Sequence, residues 1–285
     1  MINAKIVYCH ALTPVHSGTG QAVAVIDLPI AREKATGFPI IPASSFKGVL
    51  RDHFNGESWC DWAFGRAPRE GDDKDQGQGG AITFTDLRIL CLPVRSFYGT
   101  FAYVTCPLIL TRMKRDLDAL GATAPFSDWP NVQDGNDQMR AALTANSVLK
   151  HTDNKVYLED LDLIPFGTGS DAVAKAIGNA VFDKEIEEAD FISRFAIVSN
   201  ATFDFLSETA TEISARVSLE TDTKTVKKGQ LWYEEAVPAE TIFYGLLVQG
   251  QPSDQHGLHQ LQVNKPIQIG GNATVGRGLC RVVIK

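Results

Sequence analysis

Apolar residues along the chain fall into short alternating runs divided by turn formers, and only a few stretches carry helical spacing. Residues 5–12, rich in Ile, Val and Tyr and stopped by Thr13-Pro14, predict a first strand. A Gly-rich loop follows at 16–20, and the apolar residues 22–26 predict a second short strand running into Asp27. Ser44 or Ser45 is placed to cap a helix over 46–54, whose Phe46, Val49, Leu50 and Phe54 form an apolar stripe. Residues 71–80 contain no apolar side chain and four glycines, and predict a mobile surface loop. Further strands are predicted at 81–92, 103–110 and 155–163, and helices at 111–120 and 182–197. Two strands, 211–219 and 241–248, stand on either side of a basic loop at 221–230, and a Gly-rich turn at 266–271 leads to a last strand at 279–284. Strands and helices mix without regular strand–helix alternation. The pattern is therefore that of an α+β fold: one antiparallel core sheet with helices on one face and long inserted loops, in a single domain over 1–285.

Composition narrows the class. A length of 285 residues with 44% hydrophobic and 21% charged residues suits a globular chain with a sizeable core. No run approaches the roughly 20 apolar residues that span a bilayer, and the first residues lack the pattern of a signal peptide. Five scattered cysteines without a C-x-x-C pair argue for reduced thiols in a cytoplasm, not for a disulfide framework or a structural zinc site. The net charge of -7 speaks against a nucleic-acid partner until it is divided by position. Residues 151–212 hold four basic and thirteen acidic residues, a net of -9, which leaves +2 for the rest. Basic residues cluster at 32–51, at Lys224, Lys227 and Lys228, and after Asp254, where no acid remains. Such clusters also suit ordinary solvated faces, but three beside one acidic insert suggest segregated roles.

Four constellations could carry chemistry. At 44–51, SSFKGVLR, a capped helix start offers free N–H groups and positive dipole to a phosphate, with Lys47 and Arg51 on one face; a surface helix with a routine cap reads equally well. At 269–278, IGGNATVGRG, four glycines and Arg277 either let a polyanion approach the main chain or make a tight turn. His16 and Asp27 pair a candidate acid or base with a candidate metal ligand, although a loop histidine and a turn aspartate are common without function. Glu234 and Glu235 follow the basic loop as an acidic pair that binds metal or stays solvated. No G-x-S-x-G elbow, Walker loop or HExxH motif is present.

Taken in order, HSGTG at 16–20, DLPIARE at 27–33, TGFPIIP at 36–42, SSFKGVLR at 44–51, LWYEEAVP after the basic loop and the terminal glycine motif make a wider pattern. The chain resembles the RAMP superfamily of CRISPR-associated proteins, and within it the repeated backbone subunit of type III-B (Cmr) effector complexes. The resemblance implies a ferredoxin-like (RRM-like) core with an extended β-hairpin thumb near 211–248 or within an insertion, and insertions around 60–80, 121–150 and 165–210. It implies partners: a guide crRNA, a complementary target RNA, further copies of the chain in a filament and other Cmr subunits, with no membrane. It implies cleavage of the target at regular intervals with a divalent metal, Mg or Mn. The catalytic aspartate falls on Asp27, which would also hold the metal, the loop histidine on His16, and the later acid on Glu234 or Glu235. An aromatic residue often follows that pair in the family; here it is Ala236. RNA contacts fall on Ser44, Ser45, Lys47, Arg51, Gly270, Gly271, Gly276 and Gly278, joined by Lys227, Lys228 and Arg277 from the basic segments. A non-catalytic RNA scaffold and a guide-processing endoribonuclease of the same superfamily remain as alternatives.

Overall fold

The computed structural model describes residues 3–285 except 21–24, 69–74, 136, 168, 221, 224, 251–252 and 254. The β-branched and aromatic run at the start forms β1 (Asn3–Ala11), whose last five residues are buried because the strand lies inside a sheet. It is followed by β2 (Ile40–Ile41), α1 (Ala43–His53), α2 (Cys60–Phe64), the pair β3 (Gly65–Arg66) and β4 (Gln78–Gly79), β5 (Ile82–Phe84), β6 (Leu87–Arg95), β7 (Phe101–Thr105) and α3 (Pro107–Ala119). The middle supplies β8 (Met139–Leu143), β9 (Val156–Leu158), β10 (Leu161–Pro165), α4 (Asp171–Val181), α5 (Glu185–Arg194), β11 (Phe195–Val198) and α6 (Asn200–Thr209). The remaining strands are β12 (Glu212–Leu219), β13 (Val226–Ala236), β14 (Ile242–Gln249), β15 (Ile267–Gln268) and β16 (Leu279–Ile284).

The main sheet runs β15-β16-β1-β14-β6-β7-β11-β8-β10-β9, with β2 beside β6 and β5 beside β14. β1 sits between β14 and β16, so strands from both ends of the chain meet in its core. β6 is long enough to pair with β14 through its first half and with β7 through its second, joining two stretches of sheet. From β15 to β7 every pairing along that path is antiparallel, as the pattern predicts. Beyond it the sheet is mixed, because β11 runs parallel to β7 and β10 parallel to β8. Parallel neighbours need long crossovers, and the chain between β7 and β11 supplies one of about ninety residues.

Several elements differ from the sequence reading for local reasons. The helix predicted at 111–120 begins at Pro107, which occupies the first turn, where a missing N–H costs nothing. The strand predicted at 155–163 splits into β9 and β10 around Glu159, which takes a positive φ of 48°. The helix predicted at 182–197 stops at Arg194 and becomes β11. Of the strand predicted at 22–26, residues 22–24 lie outside the described residues, and Val25 and Ile26 form a bend. Of the predicted loop at 71–80, residues 71–74 lie outside them, while Gln78–Gly79 pairs with Gly65–Arg66. The strand after the basic loop is not the one at 241–248, which is β14 of the main sheet. It is β13, which folds back on β12 as a separate two-stranded hairpin, in register from Glu212↔Ala236 to Val217↔Leu231. Among the described residues no helix is long and apolar enough to cross a membrane.

Candidate active site and nucleic-acid interface

One edge of β13 pairs with β12. The other edge receives two segments from the N-terminal third. Leu28 N–H donates to the Tyr233 carbonyl (3.1 Å), and Glu235 N–H donates to the Leu28 carbonyl (3.0 Å). Val15 and Val237 exchange backbone hydrogen bonds of 2.8 and 2.9 Å. Between these anchors two side chains are held against the same edge. Asp27 Oδ2 accepts from Tyr233 N–H at 2.8 Å, and His16 Nδ1 lies 2.6 Å from the Glu235 carbonyl oxygen. Residues 233 and 235 present their backbone groups to one side, about 7 Å apart along the strand. The strand thus aligns the loop histidine and the aspartate that the sequence singled out.

The hydrogen bond to Glu235 also decides the chemistry of the imidazole. A carbonyl only accepts, so Nδ1 carries the proton and Nε2 is the end left to act. Asp27 is half-buried, and its Oδ1 has no hydrogen-bond or ion-pair partner among the described residues. The backbone of His16 is fixed from behind by the terminal glycine motif. Gly271 N–H donates to the His16 carbonyl at 2.9 Å, and a Cβ on Gly270 would stand 2.4 Å from that oxygen.

Glu234 and Glu235 are both buried, at 6% and 3% exposure, and strand alternation sends them to opposite faces of the hairpin. Glu234 accepts from Trp232 Nε1 (2.8 Å), Arg216 Nε (3.1 Å) and Asn272 Nδ2 (2.9 Å). Burial pushes its carboxyl up, but the hydrogen bonds from Trp232 and Arg216 and the charges of Arg216 and His16 outweigh it and hold it below the usual range. It is therefore an ionised group on the histidine's side. Glu235 accepts from Arg32 (2.6 Å), Ile30 N–H (3.1 Å) and Thr211 (3.0 Å), while Arg32 also donates to the carbonyls of Gly37 and Ser207. Arg32, Arg216, Trp232 and Asn272 were not singled out from sequence. Arg32, Trp232 and Asn272 lie within motifs quoted above but carried no role there, and Asn272 takes a positive φ of 63°.

The residues expected to meet RNA divide in two. Ser44 and Ser45 are exposed and Lys47 half-buried, but neither serine is a cap: the helix starts at Ala43, with no side-chain cap at Pro42. The Ala43 N–H donates instead to Asp86 Oδ1 at 2.7 Å, so a carboxylate already holds the helix start that sequence reasoning left free for phosphate. Arg51 donates to the Gly65 carbonyl and pairs with Asp61 at 3.3 Å. Arg277 is 9% exposed and docks on the hairpin through Ser214 (2.9 Å) and Glu212 (3.4 Å). Gly270, Gly271 and Gly278 serve close backbone packing; a Cβ on Gly278 would stand 2.1 Å from the Ile269 carbonyl. Gly276 has open space around it. Lys227 is half-buried, and Lys228 follows it on β13 near the hairpin tip. The basic C-terminus and the acidic insert also meet, since Arg281 pairs with Glu187 at 2.8 Å.

Among the described residues no group of three or more His, Cys, Asp or Glu side chains could hold a metal. With Glu234 and Glu235 saturated, the donor set fits an ion carried by one carboxylate, Asp27, with RNA phosphate and water completing the shell. Mg²⁺ is often held in this way.

The RAMP superfamily profile matches residues 8–281. The chain is 37% identical to the CRISPR system Cmr endoribonuclease Cmr4 of Pyrococcus furiosus, an alignment covering 100% of this chain and 96% of that one. The crystal structure of oligomeric Cmr4 from Pyrococcus furiosus superposes with a TM-score of 0.72 at 30% identity, covering 100% of this chain and 98% of the other. A chain in the cryo-EM structure of the Type III-B Cmr-beta bound to cognate target RNA superposes with a TM-score of 0.74 over 99% and 96% of the two chains, at 20% identity, a likeness of fold. With a profile that spans nearly its whole length and a relative 37% identical along all of it, the chain belongs to the RAMP superfamily.

Proposed function

We propose that the protein is the repeated backbone subunit of a type III-B CRISPR effector complex, which holds guide RNA and cuts complementary target RNA at regular intervals. Identity to a Cmr endoribonuclease along the whole chain supports the assignment. The observation that carries the chemistry is the alignment of Asp27 and His16 on one edge of β13. The strand order β16-β1-β14-β6, with α1 on the connection from β1 to β6, supports a ferredoxin-like core, and the β12–β13 hairpin has the form of the expected thumb. Five free cysteines, all buried, suit a reducing cytoplasm. Copies of the chain would stack along the guide in a complex with other Cmr subunits.

Cleavage then proceeds by attack of a target 2′-hydroxyl on its own phosphate. Asp27 takes the hydroxyl proton, the new O2′–P bond forms as the P–O5′ bond breaks, and His16 gives a proton from Nε2 to the departing 5′ oxygen. The products are a 2′,3′-cyclic phosphate and a 5′-hydroxyl. Glu234 stands ionised on the histidine's side, and the Glu235 carbonyl fixes the orientation of the ring. A divalent ion, Mg²⁺ or Mn²⁺, would be held by Asp27 and would neutralise phosphate charge. An unstacked nucleotide is required, since a helical stack forbids in-line geometry; displacement of a base by the hairpin would supply it. The test is to purify the protein with guide RNA and its partner subunits and present complementary RNA with magnesium. Cutting that leaves 5′-hydroxyl ends is the expected result; binding without cutting would make the protein a scaffold.

A further inference from the structure

Gly18 is not a glycine for the sake of its backbone. Its φ lies outside the left-handed region, and it bridges to Ile30 as any residue could. A side chain is excluded by room alone: a Cβ would stand 2.6 Å from His16 Nε2 and 3.2 Å from Cε1. A flexible side-chain end could normally swing away from such a contact. This imidazole is held by the 2.6 Å hydrogen bond from Nδ1 to the Glu235 carbonyl, and it lies so close to Gly271 that an added Cβ there would stand 3.2 Å from Cδ2. His16 is only 8% exposed. A carbon atom cannot rest 2.6 Å from a nitrogen, so a side chain here would displace the imidazole or cover Nε2, the nitrogen that a substrate oxygen must approach to about 2.6 to 3.2 Å.

We propose that Gly18 is a positioning residue: by carrying no side chain it leaves the His16 imidazole in place and its Nε2 uncovered for an oxygen of the scissile phosphodiester. The proposal rests on the reading of His16 as the proton donor to the leaving oxygen. The need to keep Nε2 uncovered accounts for the glycine where conformation does not.

The test uses the complex assembled with guide RNA and compares single-turnover cleavage by wild type, Gly18→Ala, His16→Ala and the double variant, with target affinity measured alongside. Gly18→Ala is expected to lower the cleavage rate at least about 10²-fold, the scale of one acid–base group, while target affinity stays unchanged. In the His16→Ala background, where the ring is gone, Gly18→Ala is expected to cause no further loss, because a residue acting only through another is not additive with it. Cleavage by Gly18→Ala at the wild-type rate would overturn the proposal, as would multiplying losses in the double variant or failure of Gly18→Ala to assemble. Should His16→Ala itself cut normally, the acid role falls first and the positioning role of Gly18 falls with it, an outcome distinct from a fast Gly18→Ala beside a slow His16→Ala.

Discussion

The two faces of β13 carry adjacent glutamates with opposite surroundings. On one face, Glu234 sits with Arg216, Trp232 and Asn272 and lends its charge to His16. On the other, Glu235 binds Arg32, Thr211 and the Ile30 N–H, and so locks the 27–32 segment against the strand. The edge between the faces holds Asp27, a carboxylate with one hydrogen bond and one oxygen unused among the described residues. A buried acid with every oxygen engaged is part of a frame. An acid left underused beside a fixed histidine is where a substrate proton or an ion can go.

That contrast breaks if variants on the two faces behave alike. Beside the aspartate itself, the largest effect is expected for His16→Ala, a loss of about 10²–10⁴-fold in single-turnover cleavage with the thermal midpoint of the free chain unchanged. Glu235→Ala is expected to act on stability instead, lowering it by about 2 kcal/mol in denaturant unfolding, because the half-buried Arg32, the Ile30 N–H and Thr211 lose their shared acceptor. Equal unfolding curves would deny Glu235 its structural part. For guide binding, Lys47→Ala is expected to reduce the logarithmic salt slope by about 0.7, one phosphate contact on a single strand, whereas Arg51→Ala leaves the slope unchanged because Asp61 and the Gly65 carbonyl already hold that side chain. The smallest effect concerns Glu33, whose hydrogen bond from Arg112 holds its carboxyl at about 2, below its ordinary 4.5. A lowered carboxylate stabilises the fold above its ordinary value and loses that contribution as pH falls through about 2. The stability gap between wild type and Glu33→Gln should therefore be full at pH 7 and close between pH 4.5 and 2.

Much of the fold was legible from short-range pattern. β1, β12, β16 and the apolar stripe of α1 follow from β-branched runs and helical spacing. What was not legible depends on partners far away. The parallel pairing of β7 with β11 joins residues some ninety positions apart, and the return strand of the hairpin is chosen by register with β12. His16 and Asp27 stood out by residue type. Their anchors did not, because Tyr233 and Glu235 lie more than two hundred residues along the chain and reach them through backbone atoms that no side-chain pattern reports. Arg277 and Arg51 show the converse. A cation counted as available in sequence can be paired inside the fold.

The central claim is that Asp27 performs chemistry and that the fold does not depend on it. The direct measurement is target RNA cleavage with magnesium by complexes carrying Asp27→Ala, with target binding recorded on the same preparations. The account predicts that cleavage is abolished and binding is intact. Cleavage by the variant equal to that of wild type would contradict it.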